Sequence, residues 1–174
     1  NNFQSFVILR NIASCFPFIF SDNPIQLFDF VLANIDSLPL LYSYECTNEE
    51  LEILNSIKKS ISALSFLHTC LYSTKIIGTF VPWVLENILE FNEFQAFGMI
   101  IILHSLLNTD NINMIVVSSL IKFRILNIIT ELLERNIKDE NFNEIYKNNI
   151  YDLGTKYYEL IDQISDTSDL KNIQ

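Results

Sequence analysis

The chain has 174 residues, 49% of them hydrophobic, with 11 Lys and Arg against 21 Asp and Glu and a formal charge of −10. That length and apolar content suffice for a buried core and exclude a wholly disordered chain, while the charge balance repels a phosphate backbone and excludes nucleic acid as a direct ligand. Three Gly and four Pro are too few for the turns of a many-stranded sheet.

The expected fold class is therefore all-α, in one domain over residues 1–166 with a polar tail at 167–174 that frays. The first helical stripe is in LRNIASCF, where Leu9, Ile12 and Phe16 are spaced three and then four apart, the mark of one packed helix face. Asn23 followed by Pro24 reads as the start of a second helix, NPIQLFDFVLANI, since Pro in the first turn loses no hydrogen bond. Residues 36–50, DSLPLLYSYECTNEE, read as an insertion. Thr47 and Glu50 within it have the capping-box spacing, so a long helix is expected from there through Leu51, Leu54, Ile57, Ile61 and Leu64 into LSFLHTCL. FVPWVLENILEF is expected as a helix with Pro82 in its first turn. IIILHSLL from Ile100 and IKFRILNIITELLE from Ile121 are expected as two more. After the polar stretch NIKDENFNE, a closing helix carries Phe142, Ile145, Asn149, Leu153, Tyr157, Leu160 and Ile164.

These segments repeat. Superposing Ile12, Leu67 and Leu103 aligns Leu9, Leu64 and Ile100, then Phe16, Leu71 and Leu107, and brings Ser14, Thr69 and Ser105 together. Superposing Pro24, Pro82 and Lys122 aligns the helices that follow. The intervals of 36 residues from Leu67 to Leu103 and 40 from Pro82 to Lys122 are those of helical solenoid repeats. The longer first interval accommodates the insertion.

KIIGTFVPWVLENILEF resembles the armadillo repeat: Gly78 matches the end of a short first helix, Pro82 the opening of a second, and Leu85, Ile88 and Leu89 its apolar spacing. LRNIAS at 9–14 is similar to the end of a third helix. The resemblance covers residues 3–135, and two-helix HEAT repeats share its spacing. It implies an α-solenoid of about three armadillo/HEAT-like repeats closed by the C-terminal helix, and a chain that opens inside one unit, as a piece of a longer stack does. It also implies a concave surface for a protein or peptide with a basic or amphipathic segment. The expected contact residues, on the exposed face of the third helices, are Arg10, Asn11, Ser14, Ser65, Phe66 and Thr69. Ile101 and Ile102 occupy the matching positions of the last unit, which the closing helix or an apolar anchor would cover.

The remaining residues favour binding over chemistry. His68 and His104 occupy equivalent places in successive units, about one helix spacing apart, too far to share a metal. Cys15 and Cys70 also coincide and read as small buried residues, with Cys46 in the insertion the more exposed; an odd number without CxxC pairing fits a reducing, cytoplasmic or nuclear compartment. Trp83 and Asn87, like Phe123 and Asn127, have the spacing of the import-adaptor ladder but fall on the second helix of the unit rather than the third. The acidic residues Glu131, Glu134, Asp139, Glu140 and Glu144 read as a solvated edge. No phosphate loop or metal motif is present, so the expectation is a non-enzymatic scaffold with no cofactor, no metal and no membrane span. Two alternatives remain: a compact bundle whose groove binds a helix or lipid, and an oligomerisation module using the Tyr-bearing face of residues 146–158.

Overall fold

The computed structural model describes all residues except 1, 17–18, 38–47, 72–73 and 172–174. The described residues form helices and no strand. α1 (Asn2–Cys15) buries Phe6 and Ala13. The last residue of its expected stripe, Phe16, is 65% exposed. α2 (Pro24–Leu32) starts where the sequence places it, with Asn23 at the N-cap position and Pro24 at its first residue. Its Leu32 carbonyl accepts from the Gln95 amide at 3.2 Å.

α3 (Asn48–Cys70) begins beside Thr47, although the capping side chains of Thr47 and Glu50 lie outside the described residues. Ile57, Leu64, Leu67 and Leu71 are buried, while Ile61 is exposed. Buried Ser60 fastens the chain leaving α2: its hydroxyl accepts from the backbone N–H groups of Asp36 and Ser37 at 3.2 and 3.4 Å, and Lys59 pairs with Asp36.

α4 (Thr74–Asn87) departs from the expectation. It begins two turns before Pro82, so Pro82 lies inside the helix and Gly78 does not end one. Interior Pro costs about 3 kcal/mol, but Ile76, Ile77, Phe80 and Val81 are all fully buried. At roughly 1.5–3 kcal/mol each, that burial outweighs the lost hydrogen bond. A short 3-10 turn (Ile88–Glu90) follows, then α5 (Glu93–Leu107). α5 opens with a capping box: Gln95 N–H donates to Asn92 Oδ1 at 2.8 Å, and Asn92 N–H donates to Gln95 Oε1 at 3.2 Å.

The expected single helix from Ile121 is two helices. α6 (Asn113–Lys122) ends at Lys122, and α7 (Ile125–Leu133) begins after Arg124, which adopts a left-handed φ of 53°. α8 (Glu140–Lys171) starts under Asp139, whose carboxylate accepts from Phe142 N–H at 2.8 Å, and it continues past the expected tail boundary. Its buried stripe is Phe142, Tyr146, Ile150, Leu153 and Leu160. Asn149 belongs to its flank and turns its amide onto the Ile145 carbonyl.

Packing follows chain order. α1 packs on α3, α3 on α5 and α5 on α8; alongside them, α2 packs on α4 and α4 on α6, with α2–α3 and α5–α6 contacts joining the rows. The helix that continues the second row beyond α4 is thus α6, not the segment from Ile121. One apolar core runs through both rows, from Phe6 to Leu160.

Candidate functional site

Packing of α1 on α3 brings part of the expected contact set together. Arg10 Nη1 donates to Ser65 Oγ at 3.4 Å, and the Thr69 hydroxyl donates to the Ser65 carbonyl at 2.9 Å. Asn11 and Ser14 are exposed on α1. Phe66 is not on this face: it is 1% exposed. Successive helical residues lie about 100° apart, and in α3 that rotation turns Phe66 into the core. Its ring packs 6.1 Å from Phe6 and edge-on to Phe20 at 5.2 Å.

On that inner side lies a cleft of about 490 Å³. Leu9, Ile19, Phe20, Leu27, Phe30 and Phe66 form its apolar wall, and Asp22, Asn23 and Gln26 its polar edge. Ile19 and Phe30 remain 55% and 48% exposed beside it. The sequence reading missed this wall, because Phe30 sits within the apolar run LFDFVL and Ile19 between helices. Exposed Ile8, Phe16 and Ile25 lie on the same helices or the turn joining them.

His68 and His104 sit on α3 and α5, in successive helices of the first row. His68 Nε2 lies 2.9 Å from Ser105 Oγ, between α3 and α5, and burial pushes its pKa below the ordinary value. The paired reading of Cys15 and Cys70 fails at Cys15, which is exposed. Among the described residues α1 is the outermost helix of the first row, and the position that is interior at Cys70 in α3 faces outward at Cys15 in α1. Cys70 is buried, which pushes its thiol up to about 12, and Cys46 lies outside the described residues. Ile102 is buried and Ile101 half-buried on the helix that packs against α8.

Trp83 is half-buried among Phe28, Phe80 and Phe91, and Asn87 donates to the Trp83 carbonyl at 2.7 Å, within its own helix. Phe123 and Asn127 fall on either side of the α6–α7 break. The acidic residues Glu131, Glu134, Asp139, Glu140 and Glu144 are all exposed. Between them, Arg135 turns inward and donates to the carbonyls of Phe91 at 2.8 Å, Ile88 at 3.3 Å and Leu89, fastening the turn after α4. Below it Tyr146 is fully buried; its hydroxyl has no hydrogen bond of regular geometry, and burial pushes its pKa up against the opposing charge of neighbouring Arg135. Of the Tyr-bearing face, Tyr151 and Tyr158 are exposed.

Among the described residues, no three His, Cys, Asp or Glu side chains are grouped closely enough to hold a metal ion, and no helix is long and apolar enough to cross a membrane. Comparisons with protein-family models, curated proteins and solved structures find no significant match.

Proposed function

We propose that this chain is a non-enzymatic scaffold of the α-solenoid kind, armadillo- or HEAT-like in spacing, that presents helical surface to a protein or peptide partner. The observation that carries the reading is the order of packing: α1–α3–α5 in one row, α2–α4–α6 in the other, each helix meeting near neighbours in the chain. A helical hairpin cannot bury its apolar face alone, so stacked units generate a long surface suited to extended partners. The proposed contact face is the outside of the first row, with Arg10, Asn11, Ser14, Ser65 and Thr69. Its partner carries a basic or amphipathic segment, matching the net charge of −10, and meets the chain in a reducing, cytoplasmic or nuclear compartment.

The test is affinity capture from native lysate with wild-type chain beside an Arg10→Glu, Ser14→Glu variant, read by mass spectrometry. A protein retained by wild type and lost from the variant supports the outer face. The same set captured by both sinks that assignment.

A further inference from the structure

We infer that the cleft between α1 and α2 is the docking site for one amphipathic helix of a protein partner, whose apolar face seats on the cleft wall while flanking Lys or Arg side chains reach Asp22 and Asp29. The inference rests on the scaffold reading only in taking the ligand to be a protein.

Shape gives the first argument. A volume of about 490 Å³ lies within the range of specific binding sites, roughly 300–1,000 Å³. The site is not a closed chamber, however, because Ile19 and Phe30 keep about half their surface in water. Phe30 does not close over the core but leans on Phe6 of α1, ring centres 5.4 Å apart. An open apolar trough between two helices receives a third helix through side chains spaced i, i+3, i+4 and i+7.

Charge selects the occupant. Asp22 is on the edge of the cleft, and exposed Asp29 lies three residues beyond Gln26, hence on the neighbouring ridge of α2. Arg10 is the sole Lys or Arg within residues 1–35, and its guanidinium is engaged with Ser65 on the seam with α3. The ionised groups of the rim are therefore acidic. A fatty-acid carboxylate would meet two like charges there, whereas a helix with cationic flanks meets complementary ones, which raises both its encounter rate and its selectivity.

The experiment uses the 174-residue chain and a fluorescein-labelled amphipathic peptide of about 18 residues, five helical turns, with Leu and Phe on one face and Lys at its flanks. A second peptide replaces each Lys by Glu, and lauric acid serves as the lipid probe. Fluorescence anisotropy at low salt is expected to show the Lys peptide binding at least about tenfold more tightly than the Glu peptide. Phe30→Glu should abolish binding, and Asp22→Lys with Asp29→Lys should reverse the preference in favour of the Glu peptide, with helical circular dichroism retained by both variants. Equal affinity for the two peptides, or a preference that survives the charge reversal, overturns the proposal. So does lauric acid bound in a Phe30-dependent way with neither peptide bound, which would make the cleft a lipid site. A partner lost from the Arg10→Glu, Ser14→Glu variant while no peptide binds leaves the scaffold reading standing and removes the cleft.

Discussion

Removing the Arg135 guanidinium while keeping its stem, as in Arg135→Met, withdraws donors from three carbonyls at once. The bonds to Phe91 at 2.8 Å and Ile88 at 3.3 Å are partly buried, whereas that to Leu89 is exposed. A charge-assisted hydrogen bond contributes about 1.5–3 kcal/mol. The exposed carbonyl regains water and counts for nothing, and the two partly buried ones take the low end of the range, so the expected loss is about 3 kcal/mol. For a chain of this size each kcal/mol shifts Tm by roughly 2–4 °C, which sets the expected fall at about 6–12 °C. Arg135→Lys should recover less than half of it, because one compact ammonium cannot span carbonyls that a planar fork reaches together. The assay is urea unfolding followed by circular dichroism, with thermal melts alongside. A loss below about 1 kcal/mol for Arg135→Met, or wild-type stability for Arg135→Lys, would refute the account of this residue as the clasp between the start of the closing segment and the end of α4.

Phe16 and Leu107 are equivalent in the repeat, yet Phe16 is exposed and Leu107 fully buried. Leu107→Ala should therefore cost about 2–5 kcal/mol and Phe16→Ala about 0.5 kcal/mol or less; equal losses in urea unfolding would show the end of the row to be covered. Burial lowers the His68 pKa below 6.5, so beneath that pH the unfolded chain binds the proton more readily than the folded one. Its contribution is intact above pH 6.5 and is lost as pH falls through the lower folded value. The urea midpoint should drop between pH 7 and pH 5, and His68→Gln should reduce that drop; an identical pH dependence in the variant would remove His68 as its source.

Stripes of apolar side chains were legible wherever burial and helical period agreed. Leu64, Leu67 and Leu71 are buried as their spacing requires, and Pro24 opens α2. Pro82 misled because proline is tolerated at a helix start for local reasons, while its actual place is decided by the burial of four residues that precede it. The break at Arg124 carries no local mark: a left-handed residue is usually Gly or Asn, and here it is an arginine. Asn92 and Gln95 did carry a mark, the spacing of a capping box, which was open to reading before the structure. In α8 the expected stripe holds at Phe142, Leu153 and Leu160, with Ile145, Tyr157 and Ile164 packed beside the core, while the buried Tyr146 and Ile150 lie one residue's rotation from Ile145 and Asn149. Arg135 and the cleft wall depend on contacts between segments far apart in the chain, such as Arg135 with Phe91 and Phe66 with Phe20. Arg10 and Ser65, equivalent positions of successive segments, meet across the seam between α1 and α3, whereas Phe66, one residue further round α3, is buried.

Gly78 and Pro82 stand one turn apart in α4, and their conjunction weakens that helix at a single turn. Pro82 has no N–H for the Gly78 carbonyl, and Gly78 has no side chain; a Cβ built there would meet nothing within 4 Å. That turn of α4 offers the least resistance to bending, whereas α3, its counterpart in the first row, runs unbroken for 23 residues. Any bending of α4 is therefore concentrated in the turn from Gly78 to Pro82, where a missing hydrogen bond and a missing side chain coincide.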